Sequence, residues 1–239
     1  MLSFILDFIY PPSCPICKKI QSENGVLCAD CWYTFNWISD PRCACCGYPF
    51  PANIDHEKHM LCPVCISGKI PIDWMRAACV YDDASRDVML PFKHAGALRF
   101  QKLMSRAMIA ALRDMKHVTG EMVVMPVPLS WLRLAKRGYN QATLLARPIA
   151  AHLGAPLDVD SVRRIHRRDM GHLNAAARRK NIRGVFHVKN PEKIKGKVIL
   201  LIDDVYTTGA TFYELRRVLK KAGAREVRAV VFCRTVQTI

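Results

Sequence analysis

The chain has 239 residues, 51% of them hydrophobic, which is enough for one ordinary domain and a small additional module. No apolar run reaches the roughly 18 residues that a membrane-spanning helix needs, so the sequence predicts no membrane span. Lysine and arginine outnumber aspartate and glutamate by 36 to 20, a formal net charge of +16. This balance favours nucleotides, phosphosugars or nucleic acids as partners. A merely soluble basic surface is the alternative, but the basic residues crowd between Arg133 and Arg183.

The first ten residues, MLSFILDFIY, are apolar but lack a basic leader and contain Asp7. The PPSCPIC that follows does not resemble a cleavage site made of small residues. We therefore predict a short amphipathic helix that packs on the body of the protein, and not a signal peptide. Without a targeting segment, the expected location is the cytoplasm.

Nine of the eleven cysteines lie before residue 66, and eight of these form four Cys-x-x-Cys pairs. Two thiolates three residues apart lie on one tight turn, and two such turns give a tetrahedral sulfur set that suits zinc. We predict two structural zinc ions, because every pair is complete and no coordination position remains for water. The predicted ligands are Cys14, Cys17, Cys28, Cys31, Cys43, Cys46, Cys62 and Cys65.

The sequence leaves the pairing of these turns open. Sequential pairing gives two zinc ribbons, and a crossed arrangement joins the first turn to the third and the second to the fourth. Cys45 is an extra thiol, and His56 and His59 are either exposed loop residues or replacement ligands. Cys79 and Cys233 lie in strand-like runs, which indicates buried, inert thiols.

The pattern changes after Gly68, so we predict a zinc-ribbon module over residues 1–70 and a second domain over residues 71–239. In the second domain, continuous apolar runs alternate with segments of helical apolar spacing. This alternation predicts an α/β fold, in which helices cover both faces of a parallel sheet. The predicted strands are 74–81, 121–128, 197–203 and 226–235, and the predicted helices are 99–115, 139–154, 211–223 and a segment from Ser85 that Pro91 interrupts.

The run VILLIDDVYTTGAT, residues 198–211, joins a buried strand to two adjacent carboxylates and a loop rich in hydroxyls. Ligands in such folds bind beyond the carboxyl ends of the strands. Backbone N–H groups, threonine hydroxyls and a helix N-terminus suit a phosphate, and Gly209 permits the tight turn. A ribose would explain the acids, because its 2′ and 3′ hydroxyls can donate to Asp203 and Asp204. An ordinary strand–turn–helix unit is the plain alternative.

This run resembles the motif that binds 5-phosphoribosyl 1-pyrophosphate (PRPP) in type I phosphoribosyltransferases. Nearly the whole chain is similar to the ComF (competence protein F, GntX-like) family, since the four cysteine pairs and five further motifs occur in order. These motifs are FKHAG (92–96), MPVPL (125–129), KRGYNQA (136–142), RRKNIRGVF (178–186) and LIDDVYTTGAT (201–211). The resemblance implies a type I phosphoribosyltransferase-like parallel sheet flanked by helices, with a small N-terminal double zinc ribbon. The implied PRPP contacts are Asp203, Asp204, Thr207, Thr208, Gly209, Ala210 and Thr211.

The resemblance implies two further elements around PRPP. A pyrophosphate loop would be held rigid by its two prolines and completed by a later Arg-Gly pair: Pro126, Val127, Pro128, Arg137 and Gly138. Lys93 and His94 are either phosphate contacts or a solvated helix end.

A mobile hood is implied between Arg163 and Gly184, in which Arg178 and Asn181 match the family's Arg-x-x-Asn element. The family's usual Thr-x-x-Gln is replaced by residues 167–170, Arg-Arg-Asp-Met, so the hood lacks a glutamine.

The implied activity is transfer of ribose 5-phosphate from PRPP to an unidentified acceptor. Mg²⁺ would bridge the pyrophosphate and the ribose hydroxyls. Asp203 and Asp204 would be the catalytic residues, because they can stabilise positive charge at the ribose C1 and orient the ring. The sequence indicates neither a general base nor an acceptor pocket.

ComF-type proteins are linked to DNA uptake, which implies a second hypothesis. A non-catalytic protein that handles single-stranded DNA could use the PRPP fold as a ligand sensor, with DNA-uptake machinery as a partner. Trp32, Tyr33, Phe35 and Trp37 would then stack on bases, although packing of the ribbon is favoured. A PRPP-sensing transcriptional regulator is a weaker third reading, because the sequence shows no added DNA-reading helix.

Overall fold

The computed structural model describes residues 11–53, 59–68, 71–94, 97–115, 121–165 and 182–236, so the predicted helix at residues 1–10 lies outside them. The strands are β1 (Trp74–Val80), β2 (Met122–Pro126), β3 (Val162–Arg164), β4 (Phe186–Val188), β5 (Val198–Tyr206) and β6 (Glu226–Arg234). Four of them form a parallel sheet in the order β1-β6-β5-β2, and β3 pairs with β4 in an antiparallel ribbon. The predicted α/β fold with a parallel sheet is therefore confirmed.

Both faces of the parallel sheet are covered, as the unbroken apolar runs predict. Leu200 and Ile202 pack into one core and Ile199 and Leu201 into the other, because successive side chains of β5 point to opposite faces. These four side chains are fully buried.

The helices are α1 (Ala29–Tyr33), α2 (Pro63–Ile66), α3 (Asp83–His94), α4 (Gln101–Ala111), α5 (Trp131–Arg137), α6 (Gln141–Leu153) and α7 (Ala210–Lys221), with single 3₁₀ turns at Leu98–Phe100 and Pro191–Lys193. Residues of α3, α4 and α6 fill the first core, and residues of α7 fill the second. Among the described residues, no helix is both long and apolar enough to cross a membrane.

The prediction that Pro91 interrupts its helix is wrong, since α3 continues through Pro91 to His94. A proline inside a helix removes one backbone hydrogen bond. Here Val88, Met89 and Phe92 bury the same helix in the first core, and this packing holds the turn that contains Pro91. As a result, Lys93 remains helical at the end of α3.

The cysteine-rich N-terminal segment covers the outer edge of β1. Ile38 N donates to Ala78 O and Val80 N donates to Asn36 O, both at 2.9 Å, and Met75 N donates to Cys45 O at 2.9 Å. These bonds satisfy an edge that would otherwise expose unpaired backbone groups. The segment is thus hydrogen-bonded to the sheet along most of β1.

Arg76 fixes this attachment. Its side chain is 4% exposed, and its guanidinium binds the Asp114 carboxylate at 2.6 Å and the carbonyl oxygens of Ala44 and Cys45 at 3.1 and 3.3 Å. Arg42 reaches the same carboxylate at 3.3 Å. Asp114 lies just beyond α4, so the network joins the cysteine-rich segment to the helical layer.

We predict that Gly47→Ala destabilises this attachment, whereas Lys18→Gly does not. Both residues directly follow the second cysteine of a Cys-x-x-Cys turn and have positive φ, +63° for Gly47 and +66° for Lys18. A Cβ on Gly47 would also lie 3.0 Å from Met75 O of β1. Urea unfolding should show that Gly47→Ala lowers the free energy of unfolding by about 1–3 kcal/mol. The loss arises because alanine disfavours the left-handed conformation and because its Cβ crowds Met75 O. Equal stability of Gly47→Ala and wild type would show that the close approach is not constrained.

Candidate functional site: a cysteine-braced sheet edge

The eight paired cysteines form two clusters, and the pairing is sequential. The first cluster is Cys14, Cys17, Cys28 and Cys31, and the second is Cys43, Cys46, Cys62 and Cys65. Within each cluster all sulfur atoms lie within 4.8 Å of one another. The crossed arrangement that the sequence left open does not occur.

The geometry of both clusters fits a structural zinc ion. The Cys17 and Cys28 sulfurs are 3.4 Å apart and the Cys46 and Cys62 sulfurs 3.6 Å apart. Four sulfurs at 2.3 Å from a tetrahedral centre would be separated by roughly 3.8 Å. Four soft thiolate donors without an open position suit a structural Zn²⁺ and leave no site for substrate.

Cys45 packs against the second cluster without being one of its four ligands. Cys45 is half-buried, with its sulfur 3.5 Å from Asp73 O, and His59 is exposed. His56 lies outside the described residues. Burial raises the pKa of the Cys79 and Cys233 thiols, which therefore remain protonated and unreactive.

The carboxyl edge of the sheet brings the two adjacent acids to different environments. Asp204 extends on the face of Leu200 and Ile202, and its carboxylate is 2% exposed. Asp203 extends on the opposite face and is partly exposed. Neighbouring residues of a strand point to opposite faces, so the two carboxylates lie in different surroundings.

Lys93 neutralises the buried acid. Its Nζ lies 3.0 Å from Asp204 Oδ1, and its side chain is 16% exposed. The other oxygen, Oδ2, is buried without a hydrogen-bond partner among the described residues. The sequence left Lys93 as a phosphate contact or a solvated helix end, and the structure places it in a buried ion pair instead.

Asp203 titrates near neutral pH. Burial and the charge of Asp204 raise the pKa of Asp203 to about 7, while Lys93 and Arg164 act in the opposite direction. The backbone N–H of Asp204 also donates to Asp203 Oδ1 at 2.9 Å and favours the ionised form. The partly exposed Asp203 carboxylate is thus close to its midpoint of ionisation at physiological pH.

Residues 207–211, which we name the phosphate loop, lead directly from β5 into α7. Gly209 has φ +71° and precedes the first helical residue, Ala210. A Cβ at this position would collide with the Tyr206 hydroxyl. The first turn of α7 holds no acidic residue, and no side chain caps its N-terminus. Its first backbone N–H groups and the positive end of the helix dipole can therefore bind an anion. This is the local arrangement that binds phosphates.

The Pro126–Pro128 segment lies next to the residue that precedes the two acids, because β2 pairs with β5. Pro126 is opposite Ile202, and Val127 N donates to Ile202 O at 2.9 Å. Helix α5 follows and ends at Arg137, where Gly138 has φ +76°. Arg137 donates to Gln141 at 3.0 Å.

Tyr139 and Asn140, for which the sequence indicated no role, tie these segments together. The Asn140 side chain caps α6 by accepting from Ala142 N at 3.0 Å and donates to Val127 O at 3.1 Å. The Tyr139 hydroxyl donates to Phe92 O at 2.5 Å, next to Lys93. These bonds join the end of α3 to the Pro126–Pro128 segment, and the Lys93–Asp204 pair joins α3 to β5, the strand that leads into the phosphate loop.

The predicted hood is described only at its two ends. Arg178 and Asn181 lie outside the described residues. At the end that is described, Gly184 N donates to Glu214 Oε1 at 2.6 Å, and Glu214 is also paired with Arg217 at 2.7 Å. A buried glutamate of α7, unremarkable in sequence, therefore holds the start of β4 close to the phosphate loop.

The aromatic cluster that follows Cys31 divides into an inner and an outer part. Phe35 is buried and meets Phe232 edge-on at 6.4 Å between ring centroids, and Trp37 stacks on it at 4.8 Å. Trp32 and Tyr33 are 50% and 85% exposed. Trp32 also stacks on Trp37 at 4.5 Å between ring centroids. The favoured expectation of packing is therefore confirmed for Trp32, Phe35 and Trp37, whereas Tyr33 is largely exposed.

Comparison with known protein families assigns both parts of the chain. Residues 77–238 match the phosphoribosyl transferase domain family, and residues 5–66 match the double zinc ribbon domain family. The chain belongs to the phosphoribosyl transferase domain family. The resemblance to ComF proteins, with a double zinc ribbon ahead of this domain, is also confirmed.

Three relatives match over most of their length. The DNA utilization protein YhgH of Escherichia coli O157:H7 is 28% identical over 229 residues, which cover 93% of this chain and 90% of that protein. Competence protein F of Haemophilus influenzae is 29% identical and covers 87% and 89% of the two chains. Competence protein ComFC of Streptococcus pneumoniae is 27% identical and covers 87% and 88%.

We predict that Lys93→Met destabilises the protein by about 3–5 kcal/mol at pH 7, because it leaves the Asp204 carboxylate buried without its cation. Urea unfolding measures the loss. The double variant Lys93→Met/Asp204→Asn is expected to recover most of it.

Lys197→Met is the control, since Lys197 pairs with the exposed Glu121 at 2.9 Å and its removal should change stability by less than about 1 kcal/mol. Equal losses at positions 93 and 197 would contradict a special role for the buried pair.

Proposed function

We propose that this protein binds PRPP with Mg²⁺ at the carboxyl edge of its parallel sheet and transfers ribose 5-phosphate to an acceptor. The observation that carries the proposal is one continuous unit of chain, in which Asp203 near the end of β5 is followed within four residues by the phosphate loop and the N-terminus of α7. A carboxylate that accepts from ribose hydroxyls, placed before a cradle of N–H groups for a phosphate, matches the chemistry of a ribose 5-phosphate. Membership of the phosphoribosyl transferase domain family supports the same substrate.

In this proposal the two acids have different roles. Asp203 accepts hydrogen bonds from the ribose hydroxyls when it is ionised, and it stabilises the positive charge that develops at C1. Asp204 remains paired with Lys93 and fixes the end of β5 behind the sugar, without contacting the sugar through Oδ1. This differs from the sequence expectation that both acids contact the ribose.

The rest of the site orients the substrate. The phosphate loop holds the 5′-phosphate, and the Pro126–Pro128 segment with Arg137 and Gly138 lies where the pyrophosphate would extend from the neighbouring strand. Mg²⁺, bound with the substrate, supplies positive charge that stabilises the leaving pyrophosphate. The C1–oxygen bond breaks, the pyrophosphate departs with the electron pair, and an electron pair of the acceptor forms the new bond to C1.

The Arg178 and Asn181 roles in a hood remain part of this proposal, as does the assignment of residues 1–70 and 71–239 as separate domains. The end of the hood segment that is described is anchored where Glu214 accepts from Gly184 N, and Glu214 lies on the helix that the phosphate loop begins. A closing hood would exclude water that otherwise hydrolyses PRPP.

A second candidate function is handling of single-stranded DNA, in which the PRPP fold acts as a ligand sensor. The net charge of +16 and the exposed Trp32 and Tyr33 favour it, since basic grooves with aromatic platforms bind single strands. The names of the relatives refer to DNA utilization and competence, which supports a link to DNA uptake and its machinery. Binding of this kind weakens steeply with salt, whereas PRPP binding depends on Asp203.

We predict that PRPP with Mg²⁺ binds the zinc-loaded protein at micromolar concentration and that its affinity falls about tenfold from pH 8 to pH 6. Because the pKa of free Asp203 is raised to about 7, the carboxylate must lose a proton before it can accept from the ribose, so lower pH opposes binding. Calorimetric titration at several pH values measures both quantities.

Two variants test this assignment. Asp203→Asn should bind at least tenfold more weakly at pH 8 and lose the step near pH 7, which separates it from titration of PRPP itself. Asp83→Asn, at an exposed acid paired with Arg86, should behave as wild type. No binding heat at several temperatures, or an unchanged pH profile in Asp203→Asn, would refute the proposed site.

A further inference from the structure

Arg234, the last residue of β6, connects the second cysteine cluster to the phosphate loop. It is 5% exposed although it carries a full charge. Its Nη1 donates to Cys46 O at 2.6 Å and lies 3.7 Å from Cys46 Sγ. Its Nε is buried without a hydrogen-bond partner among the described residues, so only some of the guanidinium N–H groups are hydrogen-bonded. A buried cation in this position is costly unless the groups around it are specifically arranged.

Two aromatic rings complete the environment of this guanidinium. Tyr48, two residues after Cys46, has its ring centroid 5.2 Å from the guanidinium carbon, and Tyr206 has its centroid at 5.3 Å. Arginine is suited to such a site because its planar group can stack and donate at once. Arg234 thus lies between a residue of the cysteine-rich segment and the last residue of β5.

Tyr206 also packs against the phosphate loop. Its hydroxyl packs so closely on Gly209 that a Cβ there would collide with it. Its ring also lies 5.6 Å from the ring of Phe212 in the first turn of α7. The same side chain therefore touches Arg234, the turn glycine and the helix that begins the phosphate site.

Backbone contacts and a proline reinforce the connection. Thr235 N donates to Tyr206 O at 2.9 Å, and Thr235 Oγ1 donates to Thr207 O at 3.2 Å. Pro71, which lies shortly after Cys65 in the chain, would be 3.1 Å from a Cβ on Gly209. The phosphate loop is thus supported from the side of the second cluster by both the chain after Arg234 and the chain after the ribbon.

We propose that Arg234 is a positioning residue that holds the phosphate loop against the second cysteine cluster, so that zinc at this cluster and a sugar phosphate at the loop stabilise each other's binding. N–H donors to a metal-bound cysteine and its carbonyl orient the ligand, and such partners strongly affect metal affinity. Coupling between two sites is reciprocal, so the sugar phosphate must raise the affinity of this cluster for zinc by the factor by which zinc raises the affinity for the sugar phosphate. The sugar-phosphate half rests on the proposed function, whereas the structural half needs no ligand.

Hydrogen exchange tests the structural half. In the zinc-loaded full chain, amides of residues 207–212 are expected to exchange at least tenfold faster in Arg234→Lys than in wild type, because lysine keeps the charge but cannot stack and donate together. Arg76→Lys is the matched control, since Arg76 is also a buried arginine that donates to carbonyls of the second cluster's first turn but leads to Asp114. It should leave this exchange unchanged.

Zinc release tests the coupling. With a metal indicator as competitor, ribose 5-phosphate should slow the release of one of the two zinc equivalents at least fivefold in wild type and less than twofold in Arg234→Lys. Cys17→Ser, which changes only the first cluster, should retain the protected phase. If Arg234→Lys does not fold, Tyr206→Phe replaces it, because this variant removes only the hydroxyl that packs on Gly209. It should likewise speed exchange of residues 207–212 and weaken the effect of ribose 5-phosphate on zinc release.

Unchanged exchange of residues 207–212 in Arg234→Lys, or an equal change in Arg76→Lys, would overturn the positioning role. Binding of ribose 5-phosphate without any effect on zinc release would overturn the coupling and leave the proposed function intact. Failure of ribose 5-phosphate and PRPP to bind wild type would overturn the coupling together with the proposed function, while hydrogen exchange still decides the role of Arg234.

Discussion

A carboxylate buried at the centre of a parallel sheet must be neutralised, and the arrangement of the site follows from how Lys93 does this for Asp204. The pair is 3.0 Å long, and only 2% of the Asp204 side chain is exposed. Lys93 reaches Asp204 because α3 continues past Pro91 and because Tyr139 holds the carbonyl of Phe92. The pair in turn leaves Asp203 as the acid that faces the open side of the edge. The two adjacent acids of the motif are thus one member of a buried ion pair and one partly exposed carboxylate, to which we assign the ligand contact in the proposed function.

The same edge is braced from the outside by the cysteine-rich segment. Arg76 and Arg234 are both buried arginines that donate to carbonyl oxygens of the second cluster's first turn. Arg76 leads to Asp114 and the helical layer, whereas Arg234 leads to Tyr206 and the phosphate loop. A structural zinc at the second cluster would therefore stiffen the sheet edge as well as the ribbon itself.

Much of the fold could be predicted from the sequence because its signals are local. Apolar runs located the four parallel strands, and the Cys-x-x-Cys spacing identified eight metal ligands. The separation of Asp203 from Asp204 also follows from the period of a strand, although the expected ribose contacts treated the two acids as equivalent. The helix through Pro91 was not predicted, because tertiary burial of Phe92 and its neighbours decides it.

Other parts of the site depend on contacts between distant residues and had no local signal. Lys93 and Asp204 are 111 positions apart by their numbers, and the pairing of the cysteine turns is a three-dimensional property. Arg234 reads in sequence only as the end of a strand, yet it contacts Cys46 across 188 positions. Helix α5 has no buried residues, so its sequence shows no amphipathic pattern from which the helix could be predicted.

A crystal structure of the zinc-loaded protein with Mg²⁺ and PRPP tests the central claim most directly, namely that the two acids have different roles. The result expected is a ribose hydroxyl within about 3 Å of Asp203, the 5′-phosphate on the N–H groups of residues 208–211, and an intact Lys93–Asp204 pair. A sugar phosphate bound elsewhere, or a ribose held by Asp204 after Lys93 has moved away, would contradict it.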